Sequence, residues 1–92
     1  MKLPINYNTA TWQERKAVRE EYARVQDERC YHCGADLDGP PHPDMDKPIN
    51  KSLFPDGFFK WPLHLHHDHN TGYTIGTVHA HCNAILWQYH GE

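Results

Sequence analysis

The sequence predicts a small, zinc-stabilised α+β domain built from an N-terminal helix, a β-hairpin and a closing helix. Three observations predict this class: a helix-capping signature near residue 11, an alternating stretch with turn residues after residue 62, and two Cys/His pairs. The 92-residue chain is long enough for one small domain. The hydrophobic core of so short a chain is small and supplies little net stability. Three Cys and nine His therefore make a bound metal ion the leading candidate for further stabilisation.

The charge distribution limits the kinds of partner. A formal net charge of −3 and a pI near 6.3 argue against a purely electrostatic nucleic-acid binder. All nine Lys and Arg residues lie between Lys2 and Lys60, whereas seven of the nine His lie in residues 61–92. Chemistry in the C-terminal third is therefore expected to use imidazole. Lys47, Lys51, Lys60 and the helix arginines are the candidate phosphate contacts.

The cysteine count and the lengths of the apolar runs predict the cellular compartment in which the protein works. Three Cys cannot all form disulfides, and the chain shows no secretory leader and no apolar run long enough to span a membrane. We expect a reducing, cytoplasmic setting, in which thiolates remain available to bind metal.

The first predicted element is a helix over residues 11–28. Thr11 and Glu14 form a capping-box signature, in which each side chain bonds the other residue's backbone amide. Charged residues of both signs fill the outer faces. One approximate apolar stripe is expected to face the core, and it comprises Trp12, Val18, Tyr22 and Val25.

A long loop and a hairpin follow the helix. Residues 34–57 are rich in Gly, Pro and Asp, which predicts a loop. Leu63 and Leu65 then alternate with histidines as a half-buried edge strand requires. Turn chemistry at residues 70–72 leads to a second strand over residues 73–79, and residues 80–89 form the closing helix. The segments are therefore an arm and helix (1–29), a zinc knuckle and loop (30–57), and a hairpin with its helix (58–92).

Two Cys/His pairs predict a zinc site. Cys30 and Cys33 have the spacing of a zinc knuckle, although the same spacing also serves redox chemistry. His79 and Cys82 repeat the spacing and complete a Cys₃His set. His32 and His81 are the less favoured alternatives for the fourth ligand. With four protein ligands the ion has no open position, so the zinc is expected to be structural.

A second cluster, from His64 to Asn70, is too rich in imidazole to serve packing alone. Metal-assisted phosphodiester hydrolysis needs a general base with a pKa near 7 and ligands for a divalent ion. The adjacent His66 and His67 can fill both roles, because neighbouring side chains on a strand point in opposite directions.

The motif order resembles that of the HNH endonucleases, and most closely the phage recombination endonuclease VII-like group. The motifs are Cys30-x-x-Cys33, then residues 66–69 (His-His-Asp-His), Thr71-Gly72, and Cys82-Asn83. The resemblance covers residues 30–89. Two positions depart from the family pattern: Ile75 stands where relatives have Arg, and His79 stands where they have Cys. The loss of that Arg removes an expected phosphate contact.

The resemblance implies a ββα-metal finger (His-Me finger) with named roles. His67 would be the general base, and His66 and Asn83 would bind the catalytic Mg²⁺ or Mn²⁺. Cys30, Cys33, His79 and Cys82 would hold the structural zinc. The candidates for contacting phosphate or supporting the ion are His64, His69 and Asp68, with Asp68 favoured as a supporting or turn residue. Asn70 is a further candidate for supporting His67.

The expected function is therefore a metal-dependent DNA endonuclease that nicks one strand per active site. DNA is the expected partner, with a protein partner or a homodimer as a further expectation, and no membrane. A phage-encoded protein that acts in the host cytoplasm fits the resemblance. Because both imidazole roles need the neutral ring, activity is expected to fall below about pH 6.5.

Two alternatives from other classes stay open. A non-catalytic, zinc-stabilised nucleic-acid-binding or adaptor module explains the four zinc ligands but leaves the histidine cluster and Asn83 without a role. A Cys/His hydrolase is disfavoured because every cysteine is already assigned to zinc.

Overall fold

An antiparallel hairpin and two helices position the predicted site residues. The computed structural model describes residues 2–91, so the outermost residues of the predicted segments 1–29 and 58–92 lie outside the described part. Helix α1 spans Trp12–Val25, strand β1 Leu63–His67, strand β2 Thr74–His79 and helix α2 Ala80–His90. The loop before β1 contains two short 3₁₀ turns, Pro43–Met45 and Lys51–Leu53. These elements confirm the predicted α+β class.

Helix α1 begins as the sequence predicts and ends earlier. The Thr11 side chain accepts from the Glu14 amide at 3.1 Å, and the Thr11 amide donates to the Glu14 carboxylate at 3.0 Å. The helix ends at Val25 because Asp27 and Glu28 take φ values of 57° and 59°, a left-handed conformation that reverses the chain direction. The prediction that the helix continues to residue 28 was therefore wrong.

The apolar stripe of α1 is narrower than predicted. Val18 and Ala23 are buried, but Trp12 and Val25 remain 70% and 56% exposed. Tyr22 does face the sheet, and its hydroxyl lies 3.0 Å from Thr74 Oγ1. Helix α1 meets the hairpin over its second half, where the Thr77 hydroxyl donates to the Arg19 carbonyl at 2.6 Å and Ala23 packs with Val78.

The two strands pair with one irregularity. Leu63 lies opposite His79 and His66 opposite Gly76, but His67 lies opposite Thr74. Ile75 is therefore an extra residue on β2, which makes a β-bulge. The predicted alternation of buried Leu and exposed His also fails here, because Leu65 and His66 are both buried, at 7% and 4% exposure.

The N-terminal arm lies along the other edge of β2. The Tyr7 amide donates to the Gly72 carbonyl at 2.8 Å, and the Thr74 amide donates to the Ile5 carbonyl at 2.9 Å. Asn6 forms an isolated bridge with Tyr73. The arm thus satisfies backbone groups of β2 that would otherwise need solvent partners.

The buried core surrounds the predicted zinc ligands. Ala23, Leu37 and Val78 pack in one cluster with Cys30 and Cys82. The core therefore joins α1, the knuckle and the hairpin at a single point.

Gln26, just after α1, adds a polar connection to β2. Its side-chain amide accepts from the Thr77 amide at 3.0 Å and donates to the Thr77 carbonyl at 3.0 Å. This pairing continues the ladder of β2 with a side chain in place of a strand. Across the part of the chain that the structure describes, no helix is long and apolar enough to cross a membrane.

Candidate metal centre and adjoining cleft

The four predicted zinc ligands lie together. The ligand atoms of Cys30, Cys33, His79 and Cys82 are all within 4.8 Å of one another. His79 Nδ1 lies 3.5 Å from Cys33 Sγ and 3.7 Å from Cys82 Sγ. Tetrahedral zinc with Zn–S near 2.3 Å and Zn–N near 2.0 Å places sulfur and nitrogen ligands about 3.5 Å apart. The cluster is therefore close enough to hold a metal ion, and its donors are consistent with zinc.

Local backbone structure presents the first two thiols. The Gly34 amide donates to the Cys30 carbonyl at 2.9 Å, closing a tight turn with Gly34 at φ 78°. Positive φ is the conformation that glycine adopts without a steric cost. The knuckle is fixed to the hairpin because the Tyr31 amide donates to the Thr77 carbonyl at 2.9 Å.

The remaining two ligands come from the junction of β2 and α2. His79 is the last residue of β2 and the N-cap of α2, and Cys82 lies in the first turn of that helix. The positive end of the helix dipole favours a thiolate at this position. His79 Nε2 lies 2.8 Å from the Asp36 carbonyl, and such an outer contact fixes the orientation of a metal-binding ring.

The thiols of Cys30 and Cys82 are joined by a hydrogen bond. The hydrogen bond with Cys82 lowers the pKa of Cys30 to about 4, and the same contact together with burial raises the pKa of Cys82. Backbone amides of Cys33 and His42 also lie 3.5 Å from the sulfurs of Cys30 and Cys33. The site is therefore arranged to stabilise negative charge on sulfur.

The less favoured fourth ligands lie elsewhere. His81 Nε2 is 2.6 Å from the Met45 carbonyl, and the His32 ring makes an edge contact with His90. Neither belongs to the cluster of four.

A cavity of about 900 Å³ runs along β1. Helix α1 contributes three cations to its lining. The loop before β1 and helix α2 contribute aromatic side chains. Polar residues of the predicted catalytic cluster complete the lining. The cations are Arg15, Lys16 and Arg19, the aromatic side chains include Phe54, Phe58, Trp61 and Trp87, and the polar residues are His64, His67, His69 and Asn83. We refer to this cavity as the cleft.

His67, the predicted base, is held on both sides in the cleft. Its ring stacks on Tyr7 with centroids 3.9 Å apart and an interplanar angle of 4°, and His69 packs edge-on at 4.8 Å. Burial lowers the pKa of His67, and positive charge on His69, His66 and Arg15 adds to the lowering. A hydrogen bond to the Leu65 carbonyl opposes it. One ring nitrogen of the neutral imidazole thus donates, which leaves the other as a proton acceptor.

Asn83 lies beside His64. The side-chain amide nitrogen of Asn83 is 3.1 Å from His64 Nδ1. The His64 ring also packs edge-on against Phe58 at 4.6 Å, and burial lowers its pKa. With one ring nitrogen bonded to the Phe58 backbone, the neutral ring has its other nitrogen as an acceptor. In this structure the Asn83 amide lies at Nδ1, so a cation on His64 would have to displace that contact.

His66 faces a separate pocket of about 330 Å³, which it lines with Ile75, Leu86 and His90 among others. It is not part of the lining of the cleft. The reason lies in the hairpin register. Helix α2 starts at Ala80, directly after His79, which lies opposite Leu63. Its first turn therefore reaches His64, whereas His66 is about 6.6 Å further along the strand. The predicted ligand pair is therefore divided between these two pockets, with Asn83 in the lining of the cleft and His66 in that of the other.

The other predicted supporting residues divide between the cleft and the turn. His69 lines the cleft. The Asp68 carboxylate accepts from the Asn70 and Thr71 amides at 2.7 and 3.0 Å, and these bonds lower its pKa. Asp68 is thus a turn residue here, one of the two roles favoured for it. Asn70 belongs to the same turn.

Tyr7 is a site residue that sequence reasoning missed. The Tyr7 ring lies between His67 and Arg15. The Arg15 guanidinium carbon is 3.9 Å from the centroid of the Tyr7 ring, on the side away from His67, and Arg15 Nε donates to the Tyr7 carbonyl at 3.0 Å. The segment before α1 carries no motif, and its pairing with β2 is a long-range contact, so no local signal could have found it.

Comparisons of this chain with family models, curated proteins and solved structures find no match. The resemblance to the HNH endonucleases therefore rests on the residues and their placement.

Proposed function

We propose that this protein is a metal-dependent DNA endonuclease of the HNH type that nicks one strand per active site. The observation that carries the proposal is the meeting of His67, His64 and Asn83 in one cleft, whose lining also includes three cations from α1. A proton acceptor, a pair of ligands and phosphate-binding side chains are the parts that phosphodiester hydrolysis needs.

The roles follow from the environment of each side chain. Neutral His67, held by Tyr7 and by the Leu65 carbonyl, accepts a proton from the attacking water. Arg19 and Lys16 bind the phosphates on either side of the scissile bond. A structural zinc held by Cys30, Cys33, His79 and Cys82 would fix the start of α2, and so the position of Asn83.

A second, catalytic divalent ion would bind Asn83 together with His64. The contact between these two side chains makes them the pair to test in place of His66 and Asn83. When bound, the ion would neutralise charge on the phosphate and on the leaving 3′ oxygen. An imidazole ligand suits Mn²⁺ better than Mg²⁺, which prefers oxygen ligands. We therefore expect faster cleavage with Mn²⁺.

The test is relaxation of supercoiled plasmid by zinc-loaded protein with Mn²⁺ or Mg²⁺. His67→Ala is expected to lose roughly 100-fold or more of the rate, the usual contribution of a positioned base. His64→Ala and Asn83→Ala should each abolish the stimulation of nicking by added Mn²⁺. His66→Ala is the matched control, and if it alone removes the Mn²⁺ response, the ion pairs with His66 and not with His64.

A non-catalytic, zinc-stabilised nucleic-acid-binding or adaptor module is the alternative that the cationic lining of the cleft favours. It predicts that the intact protein and His67→Ala are equally inert while both retain zinc and bind DNA. A Mn²⁺-dependent nick that disappears in His67→Ala excludes it.

A further inference from the structure

The aromatic lining of the cleft has no role in the proposed chemistry. The protein has three tryptophans, and all of them, Trp12, Trp61 and Trp87, line the cleft. They are 70%, 64% and 46% exposed. Tryptophan is highly buried on average in folded proteins, so three exposed indoles around one cavity need a ligand to explain them.

The aromatic side chains are in contact with one another and with the site. Phe54 lies 4.6 Å from Phe58 and 5.7 Å from Trp87 between ring centroids. Phe58 then packs edge-on against His64 at 4.6 Å. A continuous aromatic surface therefore leads from α2 and the loop to the residue that contacts Asn83.

The charge of the cleft identifies the kind of ligand. Arg15, Lys16 and Arg19 line it, and among the described residues that line it there is no carboxylate. This contrasts with the net charge of −3 of the whole chain. Cations beside exposed aromatic faces match a chain of phosphates that carries flat, unstacked bases. An apolar peptide would offer no charge to complement these cations, of which Lys16 is paired within the chain with Glu20 at 2.6 Å.

We propose that the cleft binds single-stranded DNA, with unpaired bases stacked on its tryptophan and phenylalanine side chains and phosphates on the α1 cations. The choice of DNA rests on the proposed function. A duplex presents phosphates and base edges to a protein but keeps its base faces covered by neighbouring pairs, so it offers these aromatic rings nothing to stack on. The substrate is therefore a single strand, or an unpaired segment within a branched or nicked DNA.

The test measures binding without cleavage. Zinc-loaded protein, with no other divalent ion added, is titrated with oligo(dT) roughly twelve nucleotides long and with a blunt duplex of equal length. Binding is followed by tryptophan fluorescence and by anisotropy of a labelled strand. Quenching of the tryptophans by oligo(dT), with an affinity at least several-fold above that of the duplex, supports the proposal.

Variants separate stacking from charge. Trp61→Ala should weaken oligo(dT) binding roughly 5- to 150-fold, the cost of losing one stacked base, and Trp61→Phe should restore most of it. Tyr73→Ala is the matched control, since Tyr73 is 51% exposed but does not line the cleft. Both sites are exposed, and circular dichroism is the check that each variant folds.

Two results would overturn the proposal: duplex bound as tightly as oligo(dT), or Trp61→Ala indistinguishable from Tyr73→Ala. The nuclease assignment is judged separately. Nicking of plasmid that depends on His67 would survive the loss of the stacking proposal, and tight oligo(dT) binding without any cleavage would leave the stacking proposal intact.

Discussion

At the scale of single residues, the decisive contact in the cleft is the stack of Tyr7 on His67. The two rings are nearly parallel at 3.9 Å, and Arg15 covers the opposite side of Tyr7. The imidazole therefore has little freedom to rotate. A general base gains from such positioning because its acceptor nitrogen must meet the attacking water in one orientation.

Replacing Tyr7 tests this positioning role. Tyr7→Leu should lower kcat roughly 3- to 10-fold, since an aromatic pair contributes about 0.5–1.5 kcal/mol beyond its burial, with little change in KM. Tyr7→Phe keeps the stack and should stay close to wild type. The measurement is the plasmid-nicking rate with saturating Mn²⁺, and equal losses in both variants would contradict a role for stacking.

The lowered pKa of His67 predicts the pH dependence. Burial and neighbouring positive charge disfavour the imidazolium, so the neutral ring persists to a pH below the ordinary value of about 6.5. Activity should therefore be retained at pH 6.5 and fall only at lower pH. The acid limb of the pH–rate profile measures it, and a limb above pH 7 would show that a different group controls the rate.

The residue-level predictions succeeded where the signal was local. The spacing of Cys30 and Cys33 and of His79 and Cys82 was enough to identify the metal cluster, because ligand spacing in a turn is set by the adjacent backbone. The partner of Asn83 was not accessible in this way. Whether it meets His64 or His66 depends on the hairpin register and on where α2 begins, and these are properties of the assembled fold.

At the scale of elements, the knuckle packs against β2 at Gly76. A Cβ atom at this position would lie 2.8 Å from Gln26 Oε1 and 2.8 Å from Tyr31 Cγ. The absence of a side chain at Gly76 therefore lets α1, the knuckle and β2 approach one another closely. The same approach places Cys30 near His79.

Gly76→Ala should destabilise the fold by about 1–3 kcal/mol, the usual cost of overpacking. Gly39→Ala is the matched control, because the nearest atom to an added Cβ there is 3.8 Å away. Thermal unfolding of the zinc-loaded proteins compares them. A stability for Gly76→Ala equal to that of the Gly39 variant would show that the knuckle moves away without cost.

The element boundaries show what sequence could and could not predict. The capping box fixed the start of α1 at Thr11, since its bonds are local. The end of α1 depends on the left-handed conformations of Asp27 and Glu28. Few non-glycine residues adopt this conformation, and the neighbouring residues do not predict it. The bulge at Ile75 and the pairing of the N-terminal arm with β2 are likewise long-range features without a local signature.

At the scale of the whole molecule, the metal cluster lies within the core and not at its margin. Cys30 and Cys82 are 3% and 0% exposed and pack with Val78 and Leu37. Folding and ion binding should therefore be one event. Structural zinc sites contribute about 10–16 kcal/mol, which is comparable with the whole stability of a typical small domain, about 5–15 kcal/mol.

Chelation should then reveal two kinds of ion. Under the proposed function, a weak chelator should remove the proposed catalytic ion and stop nicking while the circular dichroism spectrum stays unchanged. A strong zinc chelator should unfold the chain. His79→Ala should lose the bound zinc and the cooperative thermal transition. His81→Ala is the control and should keep one zinc per chain, because the His81 ring contacts the Met45 carbonyl and is not in the metal cluster. A folded, zinc-free wild type would refute the structural role.

The separation of the two ligand pairs along the chain has a kinetic consequence. Cys33 and His79 are 46 positions apart, and neither half alone forms a complete cage. We expect a bound ion to leave when the knuckle detaches from β2, an opening that breaks the bond between the Tyr31 amide and the Thr77 carbonyl. Isotopically labelled zinc should thus enter refolding chains at once. It should exchange into the native protein only as fast as the knuckle detaches from β2.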